Sequence, residues 1–180
     1  MNEFKSFFKT VGGGEGERCN YTTRLDTYGK GCANNCSYCY AKSLLDFRKL
    51  WNPEEPGVAD IEKVRRTINR KLKPGMIVRL GGRTDCFQEA EKTHKVTYET
   101  IKELNNNGVG YLIVTKNPLV ASDEYVEILD KDLAHIQVSI TATDDELNKT
   151  FENAEPYSER KAAVEKLQRL GYEEYLNQMN

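Results

Sequence analysis

The sequence predicts an α/β fold built from about four parallel strand–helix units. Short runs rich in β-branched residues alternate along the chain with segments of helical periodicity, and parallel strands need crossover helices of this kind. The chain has 180 residues, which suits one domain with a buried core. The order of elements allows either a barrel-like or a doubly wound sheet.

Four segments are the predicted strands. The first and weakest is Arg24–Tyr28, and three apolar runs follow it at Met76–Leu80, Tyr111–Thr115 and His135–Ile140. Their short length and their valine and isoleucine content are typical of buried strands.

Helical periodicity fills the intervals between these strands. One predicted helix follows Asp60, a candidate N-cap, and a second spans Thr93–Asn106. Ser122 and Ser158 are candidate N-caps of two more helices. Because the carboxyl ends of parallel strands share one face, we expect four loops to converge there, namely Gly29–Cys39, Gly81–Phe87, Lys116–Pro118 and Thr141–Asp145.

Glycines near the amino terminus suggest a boundary. The run Gly12-Gly13-Gly14-Glu15-Gly16 has nothing apolar to bury, so residues 1–23 are predicted to form a flexible lead-in. The folded domain is then expected over residues 24–180.

Composition excludes several classes of protein. The 26 basic and 28 acidic residues give a formal net charge of −2, which provides no long-range field for a polyanion. The sequence has no stretch of ~18–20 apolar residues and no signal-peptide core at its start. We therefore expect a soluble, cytoplasmic protein with no membrane partner.

The strongest chemical signal is a C-x3-C-x2-C spacing formed by Cys32, Cys36 and Cys39 after the first strand. Soft thiolates select zinc, copper(I) or an iron–sulfur cluster. A [4Fe–4S] cube held by three cysteines leaves one iron open for a substrate or cofactor. The alternative is a non-catalytic metal-binding module, for example a structural zinc site with Cys19 or Cys86 as its fourth ligand.

This motif resembles that of the radical S-adenosylmethionine (SAM) superfamily. Together with LGGRTDCFQEAEK and YLIVTK, the segment GCANNCSYCYAKSLLDF is similar to the spore photoproduct lyase-like branch, from about Leu25 to Tyr172. The resemblance implies a partial (β/α) barrel, a [4Fe–4S] cluster and SAM. It also implies an enzyme that cleaves SAM reductively to a 5′-deoxyadenosyl radical, which abstracts hydrogen from a substrate. The electron donor would be a flavodoxin or ferredoxin, and the substrate is open, with a nucleic-acid lesion or base among the candidates.

The resemblance also implies roles for individual residues. Cys32, Cys36 and Cys39 would ligate three irons of the cluster. The implied SAM-binding residues are Tyr40 against the adenine, Gly81 and Gly82 at the amino group, Lys116 and Ser139 at two strand ends, and Arg160 at the carboxylate.

One departure from the branch concerns its hydrogen-donating cysteine, whose position falls near Gly82. Cys86 lies a few residues along the same loop and is the candidate catalytic residue, either donating hydrogen or facing the substrate. The alternative for Cys86 is a buried, inert thiol. This departure argues against thymine-dimer repair itself.

Counting units suggests that the domain is incomplete at its carboxyl end. Four strand–helix units are used up by about Gly171, and the tail Tyr172–Asn180 lacks the apolar run of another strand. We therefore expect the strand at His135–Ile140 to have an unpaired edge. The chain would be a truncated piece of a longer enzyme, or another copy or partner would cover that edge.

Overall fold

The computed structural model describes residues 3–5, 7–19, 21–172 and 174–178. In chain order, the strands are β1 (Glu3–Phe4), β2 (Phe8–Thr10), β3 (Thr23–Leu25), β4 (Tyr28–Gly29), β5 (Gly57–Ala59), β6 (Ile77–Leu80), β7 (Gly110–Thr115), β8 (Ala134–Ile140) and β9 (Glu174–Gln178). The helices are α1 (Gly13–Arg18), α2 (Tyr40–Phe47), α3 (Ile61–Lys71), α4 (Ala90–His94), α5 (Val96–Asn106), α6 (Asp123–Val126), α7 (Asp145–Phe151) and α8 (Tyr157–Arg169), with a 3₁₀ turn at Pro118–Ala121. No helix in these ranges is both long and apolar enough to cross a membrane.

A six-stranded sheet in the order β2-β3-β6-β7-β8-β9 organises the chain. The five strands from β3 to β9 in this sheet are parallel, and only the edge strand β2 runs antiparallel. A smaller sheet, β1-β5-β4, lies beside it. The predicted α/β class with parallel strand–helix units is therefore confirmed.

The two faces of the large sheet differ in character. Val78, Ile113 and Ile136 lie on the face covered by helices and are inaccessible to solvent. Arg24 and Arg79 lie on the opposite face and are only partly buried. The hydrophobic core is therefore on the helix-covered face, which leaves the other face, the inner face of a barrel, for polar groups.

The prediction that no strand follows residues 135–140 is wrong. β9 pairs in parallel with β8 from Ile136 opposite Glu174 to Ile140 opposite Gln178, so the edge of β8 is covered. Strand pairing uses backbone N–H and C=O groups, and a segment without an apolar run can therefore extend a parallel sheet. Glu173 and the last two residues, which belonged to the same prediction, lie outside the described residues.

The predicted flexible lead-in also differs from the structure where it is described. β1 pairs with β5 and β2 pairs with β3, so regular pairing starts well before residue 24. Phe4, Phe7 and Val11 are buried. These apolar side chains precede the glycine run. The prediction of a flexible segment was based on the glycine run alone and did not take them into account. Met1, Asn2, Ser6 and Asn20 lie outside the described residues.

The helix predicted over residues 93–106 is interrupted at Lys95, which has a positive φ of 53°. Glu91, in the first turn of α4, is buried and accepts hydrogen bonds from the backbone N–H groups of Thr97 (2.9 Å) and Tyr98 (2.8 Å). The hydroxyls of Tyr28 and Tyr125 donate to the same carboxylate, each over 2.5 Å. This carboxylate therefore holds the first turn of α5 in place and ties it to the hydroxyls of two buried tyrosines.

Replacing Glu91 by glutamine should destabilise the fold by about 1–3 kcal/mol. Each carboxylate oxygen accepts two hydrogen bonds, and an amide nitrogen in place of one oxygen would face two donors. The measurement is urea denaturation of E91Q, with the exposed neighbour variant E89Q as control, for which a change within about 0.5 kcal/mol is expected. Equal stability of the two variants would contradict this assignment.

Candidate active site

A cavity of about 340 Å³ lies where the parallel strands end. The loops after β4, β6 and β7 contribute to its wall, together with Ser139 near the end of β8, whereas the predicted fourth loop, Thr141–Asp145, does not line it. The predicted site residues that line it are Cys32, Cys36, Cys39, Tyr40, Gly81, Gly82, Lys116 and Ser139. A larger cavity of about 590 Å³ borders Ala33 and Asn35 from another side, but the three cysteines do not line it.

The loop that carries the cysteines has irregular backbone, so side chains from elsewhere hold it. The Asn34 amide donates to the Asp85 carboxylate over 3.1 Å. Gln88 accepts from the backbone N–H of Ala33 (3.1 Å) and donates to the carbonyl of Gly31 (3.4 Å). Both anchoring side chains come from the segment after β6, so two of the converging loops are fastened to each other.

Asp85 connects a third loop to the same point. Its Oδ1 accepts from the Thr115 hydroxyl (2.7 Å), and its Oδ2 accepts from the backbone N–H of Lys116 (2.7 Å). Asp85 is 8% exposed and lines the cavity. Asp85 belongs to the segment LGGRTDCFQEAEK but has no role among the residues predicted from the sequence, although a carboxylate after a strand end was the available signal.

A second buried carboxylate, Glu152 at the end of α7, joins the cysteine loop to the loops after β7 and β8. It accepts from the Tyr38 hydroxyl, from Thr141 (2.9 Å) and from Lys116 Nζ (3.1 Å). Arg160 Nη2 donates to its other oxygen over 2.5 Å, and both side chains of this ion pair are inaccessible to solvent. Glu152 was also missed by the sequence analysis.

Ionisation of Glu152 follows from these partners. Burial alone would raise the pKa of its carboxyl, but the Tyr38 hydroxyl and the charges of Lys116 and Arg160 together hold that pKa below its ordinary value. Glu152 is therefore a carboxylate at neutral pH. Its negative charge compensates Lys116 and Arg160, two cations beside the cavity that would otherwise lack this counter-charge.

In contrast to the carboxyl of Glu152, two thiols of the cysteine loop have a raised pKa. Burial, reinforced by the negative charge of Asp85, raises the pKa of Cys32 to about 12. Burial also raises the pKa of Cys36, with Lys116 opposing this effect. Without a metal these two groups are neutral thiols at physiological pH, so ligation must displace their protons.

Glycine is required at position 81 because the backbone of the following turn approaches it closely. Gly81 has a positive φ of 72°, and a Cβ atom there would lie 2.8 Å from the carbonyl oxygen of Thr84. The Tyr40 hydroxyl donates to the carbonyl of Gly82 over 2.7 Å, which fixes the ring at the cavity wall. Lys116 Nζ donates to Thr141 over 3.2 Å and lies 5.6 Å from the centre of the Tyr38 ring.

Two predicted site residues are not brought to the cavity. Arg160 is completely buried, and its guanidinium donates to the carbonyls of Glu155 (2.6 Å) and Ser139 (2.9 Å) as well as to Glu152. It therefore supports the wall from behind, which differs from the expected contact with a cofactor carboxylate. Cys86 is likewise inaccessible and belongs to the hydrophobic core, so the structure does not place it facing a substrate.

Comparison with known proteins now identifies the family. The sequence profile of the Radical SAM superfamily matches residues 27–179. The chain belongs to the radical SAM superfamily. No curated protein sequence matches it.

Solved structures agree with this family at the level of the fold. Spore photoproduct lyase complexed with dinucleoside spore photoproduct has a TM-score of 0.69 and 16% identity, over 96% of this chain and 48% of that chain. A variant of the same lyase with bound AdoMet and the dinucleoside has a TM-score of 0.65 and 17% identity, over 87% of this chain and 45% of that one. Native anSMEcpe with bound AdoMet has a TM-score of 0.55 and 16% identity, over 85% and 42%. This chain therefore spans less than half the length of these proteins.

The expected cofactors, a [4Fe–4S] cluster and SAM, are those of the radical SAM superfamily. The donor set of this cavity fits them, because three thiols of one loop share its wall. In the described part of the chain, no three histidine, cysteine, aspartate or glutamate side chains meet as ligands of one metal ion. A cube takes its thiolates on different irons and needs them around a volume rather than at one point.

Two buried polar atoms on the same wall also fit a polar ligand. Asn35 Oδ1 and the indole Nε1 of Trp51 have no hydrogen-bond partner among the described residues, and both residues line the cavity. Buried polar atoms are nearly always hydrogen-bonded in folded proteins. An amide oxygen and an indole N–H offer one acceptor and one donor to a cofactor such as SAM.

Replacing Glu152 by glutamine should cost about 3–5 kcal/mol of stability, because it leaves the buried guanidinium of Arg160 without its counter-charge. Denaturant unfolding measures this loss. The exposed E159Q variant on α8 is the matched control and should change stability by less than about 0.5 kcal/mol.

The pH dependence of this effect has a defined sign. Since folding lowers the pKa of Glu152 from its ordinary value of 4.5, its stabilisation is present above 4.5 and is lost as the pH falls through the folded-state pKa. The stability difference between wild type and E152Q should therefore shrink below pH 4.5. A difference that grows on acidification would contradict the lowered pKa.

Thiol alkylation should distinguish the five cysteines of the metal-free chain. Cys19 and Cys39 are partly exposed, whereas Cys86 is inaccessible and its pKa is raised well above the ordinary value by burial. Iodoacetamide at pH 8 should modify the first two at least about ten-fold faster than Cys86, as read by peptide mass spectrometry. In urea the five rates should converge, and a native-state rate for Cys86 equal to that for Cys39 would show that Cys86 is accessible.

Proposed function

We propose that this chain is a radical SAM enzyme in which Cys32, Cys36 and Cys39 hold a [4Fe–4S] cluster at the 340 Å³ cavity. The observation that best supports this proposal is that three thiols of one loop line the same cavity as polar groups from three other strand ends. When bound, the cluster and SAM supply reductive cleavage of the sulfonium to methionine and a 5′-deoxyadenosyl radical that takes hydrogen from a substrate.

The residues of the chain would orient SAM rather than perform the bond cleavage. Gly81 and Gly82 line the cavity, and the side chains that they lack would meet Thr84 and Arg24 of the protein itself. We propose that the SAM amino group lies against this segment. Tyr40, fixed by its hydrogen bond to Gly82, offers a ring face for an adenine, and the ammonium of Lys116 offers a charge for a carboxylate. Ser139 adds a hydroxyl at the end of β8.

The proposal extends to the substrate and the electron donor. Spore photoproduct lyase, which has a similar fold, was solved with a dinucleoside spore photoproduct, and we propose a nucleic-acid lesion or base as one candidate substrate class. Gly82 cannot donate hydrogen from a side chain, so the reaction would differ from the lyase that the sequence resembles. A flavodoxin or ferredoxin would serve as reductant.

The second candidate is a metal-binding module without catalysis, and one experiment separates the two. Anaerobically reconstituted chain should show the broad absorption near ~400 nm of a cysteine-ligated cluster. With dithionite and SAM it should form 5′-deoxyadenosine, detected by chromatography. A loaded protein that forms none would favour the module.

Variants of the cysteines test the ligand assignment. Alanine at Cys32, Cys36 or Cys39 should abolish both the absorption and 5′-deoxyadenosine formation, because each removes one of three cluster thiolates. Cys19→Ala is the matched control and should retain both. Loss of iron in C19A as complete as in C36A would replace this assignment with a four-cysteine site.

A further inference from the structure

The outer face of α2 presents large apolar side chains to solvent. Tyr40, Leu44 and Phe47 follow the i, i+4, i+7 spacing that places side chains on one side of a helix. All three are exposed, and Phe47 is 89% accessible. Leu50, just after the helix, is also exposed. Large apolar side chains grouped in this way on a surface mark a site where another molecule binds.

This apolar face begins at the proposed cluster site. Cys39 is the N-cap residue of α2 and is partly exposed, whereas Cys32 and Cys36 are buried. A rise of 1.5 Å per residue places Phe47 about 12 Å from Cys39 along the helix axis. A molecule bound on α2 therefore comes close to the one thiol of the three that is partly exposed.

Basic side chains surround the far end of the same helix. Arg48 and Lys49 follow α2 directly, and Arg48 lines a cavity of about 380 Å³ together with Lys5. All three are exposed, and within the described ranges no ion pair joins them to an acidic side chain. The acidic residue of α2 is Asp46, and Glu3 at the 380 Å³ cavity already has a lysine partner. The α2 side therefore has an excess of positive charge.

Other sides of the cysteine loop have the opposite charge. Phe151 at the end of α7 lies against this loop, since its carbonyl accepts from the backbone N–H of Ser37 over 2.8 Å. Acidic residues outnumber the one lysine of α7 and its N-cap, and two glutamates line the 590 Å³ cavity, namely Asp144, Asp145, Glu146, Glu54 and Glu55. A negatively charged partner would therefore be attracted to the α2 side and repelled from these two.

We propose that Leu44, Phe47, Arg48, Lys49 and Leu50 form the docking surface for a small acidic electron-carrier protein. The inference rests on the proposed function, which requires such a donor. Apolar contacts would hold a small, transient interface, and the basic residues would speed the encounter with an acidic surface. The donor gives one electron to the cluster beside Cys39 and is itself oxidised by one electron, with no bond made or broken at the interface.

Two reductants separate docking from catalysis. Dithionite needs no protein surface, whereas flavodoxin hydroquinone, regenerated by NADPH and its reductase, must bind. At subsaturating flavodoxin, Phe47→Ser and Lys49→Glu should each lower 5′-deoxyadenosine formation at least about five-fold, while the rate with dithionite stays unchanged. The matched controls are Leu170→Ser at the end of α8 and Lys73→Glu before β6, both exposed positions, and they should change neither rate.

Binding without turnover gives an independent measurement. Calorimetric titration of the reconstituted chain with oxidised flavodoxin, without SAM, should show saturable binding that weakens as salt is added. Phe47→Ser should weaken this binding at least about ten-fold. An acidic ferredoxin is the second probe. A wild-type chain that binds neither carrier, or a Phe47→Ser variant that binds as tightly as Leu170→Ser, would overturn the proposal.

Sedimentation equilibrium tests the competing occupant, a second copy of this chain. A wild-type dimer that Phe47→Ser converts to a monomer would assign the surface to self-association and overturn the proposal. Failure to form 5′-deoxyadenosine with dithionite, together with normal flavodoxin binding, would instead contradict the proposed function alone.

Discussion

Two buried carboxylates hold the site together. The cysteine loop has no regular secondary structure, and its position depends on Asp85 from the β6 side and Glu152 from the end of α7. Backbone contacts reinforce the second anchor, since Ser37 N–H donates to the carbonyl of Phe151 (2.8 Å) and Asn153 N–H donates to that of Asn34 (2.8 Å). A loop fastened at both sides can present thiols in a fixed arrangement before any metal arrives, which reduces the conformational entropy lost on ligation.

These anchors also explain how charge is distributed around the cavity. Glu152 compensates Arg160 behind the wall and Lys116 on it, so one carboxylate serves two cations, one fully buried and one at the cavity. Removing it would therefore leave both cations without this counter-charge. Arg160, predicted as a cofactor contact, instead acts at a distance through Glu152 and the Ser139 carbonyl.

Local pattern predicted the strands, the cysteine motif and the convergence of loops, because periodicity and strand direction are properties of short segments. Long-range hydrogen bonds decided the rest. Glu152 is 116 residues from Cys36 in sequence, and no local pattern links them. Cys86 lies in the expected loop, but its side chain points into the core, and β9 forms through backbone pairing that composition does not reveal.

Residues 24 and 82 compete for one volume. A thiol or any other side chain at position 82 and a guanidinium at position 24 cannot both occupy it, so the two positions are expected to change together during evolution. A cysteine at position 82 would require the side chain of residue 24 to move or to be shorter. The presence of glycine or a larger residue at position 82 thus predicts the size of the residue at position 24, and with it the kind of side chain that lies beside the loop after β6.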